Sequence, residues 1–574
     1  MHRLALPLRS AAVGLAFLGA VELGFRAAGA FDPTELHDPY LGFRGTAALY
    51  RPETSDSGER VLRTSPNKRR AYRDVSFPAA KPADELRVFC VGGSSLQLES
   101  FSHPPAAFPD FLQFYLEAYA SVGAPRVVNA GGGATGSVQN LEVVRQVLEQ
   151  GADVLVVYPE GGEKNFVPPA PAGLLAVRDE ESPARVVVRA LLAPLRVYVA
   201  ARESLSALRP PDPGGRLRSA FSAIAASVYA APFGRDSFAQ MFELKADRVP
   251  VLMPHVIPQA EIERGHARFR RNLNAMVDLA EARGVPLVFV APQRNAESSF
   301  YARFHIDPAE IRAGLEDEWR RRYEAGLAAK RGGRLAEAIA ELEAVRATYV
   351  EDRDDILAWY LGECWTALGE PERAREEYAL GLRRHPILAI LREVAAARAV
   401  PLIDPWGDLV EAAGGAVPGH EWFVDSVHPL PAAGRVIARS IADGLVEHDV
   451  VPGLAAPSGE RLAEVEARCD ERVAAATEVG TPLNWYVARA IRQGDLEGAV
   501  ALGAERSRED LIFNPVDLFT YGWALTLAGR MDEARALFEA SRDVYVEEGS
   551  VLPTLDTPEQ MIEVAFAGDV FAFF

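Results

Sequence analysis

Five short apolar runs, four of them stopped by a glycine-rich or polar turn, constrain this chain more than any other feature. Leu86–Val91 ends on Gly92-Gly93-Ser94-Ser95, and Arg126–Val128 ends on Asn129-Ala130-Gly131-Gly132-Gly133. Val154–Tyr158 ends on Pro159-Glu160-Gly161-Gly162, and Leu287–Val290 leads to Pro292-Gln293-Arg294-Asn295. Pro401–Asp404 is the last run. Helical periodicity falls between them, near Phe108–Ala120, Val138–Gln150 and Ala267–Arg283. Short β-branched strands alternating with amphipathic helices predict an α/β fold with a parallel sheet and helices on both faces. Ligands of such sheets sit beyond the carboxyl ends of the strands, where these turns fall.

The rest of the composition narrows the function. The 80 acidic and 61 basic residues leave a net charge of −19, a field that repels polyanions, so nucleic acid is excluded as a first expectation. Cys90, Cys364 and Cys469 lie too far apart for a disulfide framework or a zinc knuckle. With no metal or nucleotide motif, no cofactor is expected. At 574 residues the chain exceeds one core and suggests several units.

The N-terminus carries Arg3 and Arg9 ahead of the apolar run Ala11–Val21. Eleven residues are too few to cross about 30 Å of hydrocarbon. Continuing through Glu22 and Arg26, an i,i+4 pair able to neutralise itself, reaches Phe31 and makes a span feasible. Ala28-Gly29-Ala30 alternatively reads as a cleavage site, and a buried helix is the third option. The first two place the remainder outside the cytoplasm, in the periplasm or at the cell surface, or secreted if cleaved near Ala30. An uncleaved anchor facing outward is preferred.

The expected organisation is an anchor or signal at 1–31, a mostly irregular lead-in at 32–85, and the α/β domain in three pieces, 86–162, 251–310 and 387–450. Insertions fill 163–250 and 311–386, and further helices fill 458–574. The first insertion has Arg185, Arg189, Arg196 and Arg202 among apolar residues, with Pro194 as a kink. It reads as a basic amphipathic helix that packs on its own domain, rests on an anionic surface or covers the cleft. The second is a repeat: Gly326, Gly333, Ala338 and Leu342 recur 36 residues on as Gly362, Gly369, Ala374 and Tyr378. Gly494 and Ala499 recur 35 residues on as Gly529 and Ala534. Small residues at these offsets let paired helices approach closely, in a pattern that resembles the tetratricopeptide repeat and suggests a protein partner.

Chemistry concentrates at four turns: those of Ser94 and of Asp425–His428, the glycines at 131–133, which could bring a backbone N–H to the same point, and the turn after Val154–Tyr158, where a side-chain donor is expected. Ser94 follows a strand where a helix begins, exposed to an incoming carbonyl, with its own N–H aimed at a developing oxyanion. The plain reading of a lone serine there is a helix cap. Asp425-Ser426-Val427-His428 places a carboxylate and an imidazole so that Asp425 can orient one ring nitrogen while the other faces a nucleophile. An isolated pair of this kind is commonly a surface ion pair.

Together these segments resemble the SGNH (GDSL-type) hydrolase superfamily. Gly92-Gly93-Ser94, Asn129-Ala130-Gly131-Gly132, Val154–Glu163 and Asp425–His428 stand in the order of its four blocks. The chain is similar in particular to membrane-anchored bacterial members with a tetratricopeptide insertion, sharing the lead-in Asp38-Pro39-Tyr40-Leu41-Gly42-Phe43-Arg44 and the run Phe77-Pro78-Ala79-Ala80-Lys81-Pro82. The resemblance covers roughly residues 10–450 and implies a flavodoxin-like α/β/α sandwich that cleaves or transfers ester-linked acyl groups, on glycans or small esters. It implies Ser94 as nucleophile, His428 as general base and acid, and Asp425 as its orienting carboxylate. The N–H groups of Ser94 and of Gly131 or Gly132 would hold the oxyanion, and Asn295 would contact substrate.

The third block departs from that pattern. Gly162 stands where an asparagine donor is expected, and Asn165, three residues later, is the available substitute. Loss of one such donor costs on the order of 10²–10³ in rate. Ala134 replaces a usual glycine or serine, and Glu160 and Glu163 bring negative charge towards an oxyanion. The competing expectation is therefore a catalytically weakened relative that serves as a binding or scaffold protein through its repeats.

Overall fold

A computed structural model describes residues 17–30, 48–97, 106–160, 259–296, 305–350, 356–383, 386–423, 427–478, 495–508 and 521–537, apart from one or two positions inside several ranges, and a few short pieces elsewhere. The described part of the lead-in, from residue 48 on, is not irregular. It forms an antiparallel sheet of β1 (Tyr50–Thr54), β2 (Arg60–Thr64) and β3 (Ser76–Pro78) in the order β1-β2-β3. Strands β1 and β2 are short and charged, so no apolar run marks them in the sequence. Arg51 pairs with Glu53 at 2.9 Å and Arg63 with Asp74 at 2.6 Å along the surface.

The α/β unit follows as β4 (Glu85–Gly92), α1 (Ser94–Gln97), α2 (Phe108–Tyr119), β5 (Ala124–Asn129), α3 (Ser137–Glu149) and β6 (Val154–Tyr158). Val251–Leu252 (β7) and His305–Ile306 (β9) pair in a small parallel sheet of their own. Between them come α4 (Gln259–Ala282) and β8 (Leu287–Val290). Four helices, α5 (Glu316–Arg331), α6 (Leu335–Arg346), α7 (Ile356–Ala367) and α8 (Pro371–Arg383), precede α9 (Pro386–Arg398) and β10 (Leu402–Ile403). The chain continues through α10 (Trp406–Ala412), α11 (Pro431–Glu447), α12 (Gly459–Glu478) and α13 (Leu496–Arg508).

The expected parallel sheet is present, with strand order β5-β4-β6-β8-β10. Numbered along the chain, this is the 2-1-3-4-5 order of a doubly wound sheet, whose switch point lies between β4 and β6. In β4, Phe89 and Val91 join the core beneath α3, α4 and α9. Val88 and Cys90 join the core beneath α2, α11 and α12. Alternation of buried side chains to opposite faces is what a strand covered on both sides requires.

The small sheet is welded to this unit. The Tyr50, Phe77 and Phe89 rings pack edge to face at 5.0 and 5.6 Å. Arg87, fully buried, pairs with Glu85, donates to the carbonyls of Gln150 at 2.8 Å and Pro78 at 3.1 Å, and lies 5.0 Å over the Phe77 ring. Arg73 forks onto Asp110 at 2.9 and 3.0 Å, holding the start of α2.

The helices of the second insertion pack as pairs. A Cβ on Gly326 would meet Leu342 at 2.9 Å, and one on Gly362 would meet the Tyr378 ring at 2.6 Å, so these small residues set the close approach of α5 to α6 and of α7 to α8. Gly333 and Gly369 turn each pair with positive φ, 71° and 74°. In the C-terminal segment, α12 differs from the expectation. Cys469 and Val465 belong to the core beneath α2 and α11, so this helix covers the sheet rather than extending a repeat. Gly494 lies outside the described residues, whereas Ala499 and Ala534 are buried.

Residues 17–27 are helical, and Glu22 and Arg26 form the anticipated pair at 2.7 Å. Arg196 of the first insertion donates to Ala30 O at 2.9 Å, and Val197 N–H donates to Glu22 at 2.9 Å. Arg185, Arg189, Pro194 and Arg202 lie outside the described residues. No helix among the described residues is long and apolar enough to cross a membrane.

Candidate active site

Ser94 opens α1 directly beyond β4, at the carboxyl end of the sheet and beside the switch point. Two glycines make the turn possible. A Cβ on Gly92 would lie 2.6 Å from Tyr158 O, and one on Gly93 would lie 2.7 Å from a Glu160 carboxylate oxygen. The turns after β4 and β6 therefore touch with nothing larger than hydrogen between them.

His428 arrives from the loop between α10 and α11. Phe423 and Pro429 bridge across the base of this loop, and Leu430 N–H donates to Trp422 O at 2.8 Å. Its tip leans on α1, where the Ser95 hydroxyl donates to Val427 O at 2.9 Å. The result is a separation of 2.8 Å between His428 Nε2 and Ser94 Oγ, with His428 buried and Ser94 half-buried. A hydroxyl within hydrogen-bond reach of an imidazole nitrogen is the arrangement in which nitrogen can take the proton as oxygen attacks. Asp425 lies outside the described residues, as do Gly162, Glu163 and Asn165.

Gly131 and Gly132 do not offer their amides to this point. Gly131 N–H donates to Asn129 Oδ1 at 2.9 Å, and Gly132 N–H donates to Gly92 O at 3.1 Å. Their small size has another use. A Cβ on Gly131 would lie 2.3 Å from Leu96 Cβ, and one on Gly132 would lie 2.6 Å from the Tyr72 ring. Asn129 also donates to Leu96 O at 2.6 Å, so the whole second turn is spent bracing α1. Among the described residues, the Ser94 N–H has no acceptor. Asn295 is buried in the turn that follows β8, beside Ala296, whose N–H donates to Pro418 O at 3.1 Å.

Glu160 stands inside the site rather than at its rim. Its Oε1 accepts from Ser95 N–H at 2.9 Å, and its Oε2 lies 3.4 Å from Ser94 Oγ. Although the residue as a whole is half-buried, dehydration of its carboxyl group pushes its pKa up from the ordinary 4.5 to about 7. His428 and the hydrogen bonds from Ser95 and Ser94 oppose that rise. Neighbouring Tyr158, fully buried, accepts from Gln293 N–H at 2.6 Å, which ties the turn after β8 to the end of β6. Burial, with Glu160 adding to it, raises the Tyr158 phenol far above its usual range.

Sequence alone gives two residues of the site, Ser95 and Glu160, no constructive role. Ser95 follows Ser94 and looks like a second helix-start serine, and Glu160 reads only as an adverse charge. No group of His, Cys, Asp and Glu among the described residues is arranged to hold a metal ion.

No protein-family model matches this chain, and no curated protein does. Among solved structures, the acetyl xylan esterase AlAXEase is similar at 10% sequence identity, covering 63% of this chain and 100% of its own, with a TM-score of 0.27. Likeness that low assigns no activity.

Proposed function

We propose that the chain is a serine hydrolase or acyl-transfer enzyme acting on ester bonds, of the SGNH type. The single observation that supports this most is the 2.8 Å approach of His428 Nε2 to Ser94 Oγ at the switch point of the sheet. In this reading Ser94 Oγ attacks the ester carbonyl, His428 takes its proton and returns it to the departing alcohol, and Asp425 orients the imidazole. Water or a second hydroxyl then releases the acyl group from Ser94. The Ser94 N–H, without an acceptor among the described residues, is the backbone donor left for the oxyanion. Asn295 is the candidate substrate contact from the turn after β8.

The same reading places the enzyme outside the cytoplasm, held by its N-terminal segment, with an acylated glycan or small ester as substrate. Pairing of Glu22 with Arg26 supports it by lowering the cost of burying those charges in lipid. The helix pairs of 316–383, with their glycine-set contacts, support a tetratricopeptide-like character and a protein partner.

Engagement of the Gly131 and Gly132 amides favours a second reading, a weakened relative that binds rather than cleaves. A fluorophosphonate probe separates the two. Labelling of the wild type, lost in Ser94→Ala and His428→Ala, is the result expected of the hydrolase. A wild type that stays unlabelled between pH 6 and 9 overturns it.

A further inference from the structure

We propose that Glu160, in its neutral form, is a catalytic residue that donates a hydrogen bond to the oxyanion formed at Ser94. This deepens the esterase reading and rests on it.

The hydrogen-bond pattern is the first ground. With His428 as the neutral base, its Nε2 at 2.8 Å is the nearer acceptor for the Ser94 hydroxyl, and Glu160 Oε2 at 3.4 Å is the farther one. The serine hydroxyl has one hydrogen, and the shorter contact takes it. On the other side, Glu160 Oε1 already accepts from Ser95 N–H, which fixes it as the carbonyl-like oxygen of the group. A proton on Oε2 then completes a one-directional chain, Oε2–H to Oγ, Oγ–H to Nε2, in which each hydrogen has a single acceptor. With Oε2 ionised, two acceptors compete for one hydroxyl and a full negative charge faces the carbonyl oxygen as it becomes negative.

The second ground is position. Gly93 leaves room for Oε2 where a Cβ would stand 2.7 Å away, so the carboxyl group reaches the nucleophile without displacing its turn. The amides that would otherwise serve, those of Gly131 and Gly132, are committed to Asn129 and Gly92. Replacement of a side-chain donor by a protonated carboxyl group is chemically sound, because a neutral acid in a dehydrated site is a strong donor.

The third ground is charge. The groups around Glu160 are His428 from the loop before α11, Ser94 and Ser95 from α1, and the Tyr158 phenol from β6. Arg294 and Asp404 act on Tyr158 from the turns after β8 and β10, with opposite signs. Dehydration dominates even when His428 is charged, and the resulting value of about 7 leaves a large neutral fraction near neutrality.

The step balances without net transfer from Glu160. The bond from Ser94 Oγ to the carbonyl carbon forms, the carbonyl π pair moves onto oxygen, and the serine proton passes to His428 Nε2. The oxyanion accepts the hydrogen bond from Oε2–H. On collapse the electron pair returns, the bond to the leaving alcohol breaks, and that alcohol takes the proton from His428.

The test uses the full-length protein, p-nitrophenyl acetate hydrolysis from pH 5.5 to 8.5, and fluorophosphonate labelling of the wild type, Glu160→Gln, Glu160→Ala and Ser94→Ala. Glutamine keeps an acceptor for Ser95 N–H and an N–H donor towards the oxyanion. Its kcat is expected within about threefold of the wild type at pH 6, and it loses the wild-type decline above pH 7. Glu160→Ala is expected to lose about 10²-fold in kcat with little change in KM. Equal or greater activity of Glu160→Ala at every pH overturns the proposal, since the carboxylate would then be an obstruction. Glutamine as damaging as alanine overturns it too, since charge rather than donation would be what matters. A wild type that resists labelling overturns the esterase reading itself and this role with it, whereas a labelled wild type with an unaffected alanine variant overturns this role alone.

Discussion

The Ser95 hydroxyl donates to the carbonyl of Val427 at 2.9 Å, so the neighbour of Ser94 holds the neighbour of His428. Ser95 is fully buried and uses its N–H on Glu160 as well. Ser95→Ala removes the side-chain tie and leaves the backbone one. Loss of one buried hydrogen bond costs about 1 kcal/mol of stability. The looser His428 is expected to lower kcat about 10- to 100-fold, since a displacement near 1 Å is enough for that. Steady-state kinetics, normalised to folded protein by circular dichroism, check it. An unchanged kcat would leave the contact with a structural role only.

Glu160 also makes stability depend on pH. Its folded pKa is raised to about 7 from an ordinary 4.5, so between these values the native state binds more protons than the unfolded state. Stability therefore falls as pH rises through that window, and the loss is complete above about 7. Its upper size is about 3 kcal/mol. Glu160→Gln lacks the titration, so the difference in unfolding free energy between variant and wild type should grow from pH 5 to pH 8 in urea titrations. A constant difference would contradict the raised value.

At the other end of β4 the ionic groups are structural. Glu85 bridges buried Arg87 and half-exposed Arg126, the latter at 2.8 Å. Glu85→Ala strands the Arg87 charge in the interior and is expected to cost about 3–5 kcal/mol. Arg126→Ala removes an exposed partner and should cost under about 1 kcal/mol. Thermal melts of the two variants check the ordering, and similar melting temperatures would refute it.

Glycines of the second insertion are separable from glycines elsewhere. Gly362→Ala drives a methyl group into the Tyr378 ring and should destabilise the α7–α8 pair by about 1–3 kcal/mol. Gly265→Ala, within α4 and with open space around its Cα, should stabilise by about 0.5–1 kcal/mol. Hydrogen exchange across 356–383 reads the first and a thermal melt reads the second. Ser94 labelling should be the same in both.

What could be read in the sequence followed the strength of the local signal. Val154–Tyr158 and Leu86–Val91 are buried on both faces, so their apolar runs announce strands and their ends announce a ligand side. The 36-residue offset of Gly326 and Gly362 is a pure pattern, and their close contacts with Leu342 and Tyr378 follow from it. The strands Tyr50–Thr54 and Arg60–Thr64 carry charges that pair only once the sheet exists, so no apolar run marks them. The partners of Gly131 and Gly132 depend on the Asn129 side chain turning back on its own loop, a tertiary choice invisible in spacing. Glu160 was legible as a residue type but its raised pKa was not, because its dehydration comes from elements far away in sequence.

The hydroxyl at position 94 and the imidazole at position 428 stand 334 positions apart along the chain. At about 5–20 residues per second of synthesis, the second partner leaves the ribosome roughly 17–67 s after the first. For that interval the nascent polypeptide carries Ser94 without its imidazole partner, so every prematurely ended product lacking the loop before α11 also lacks the Ser94–His428 contact.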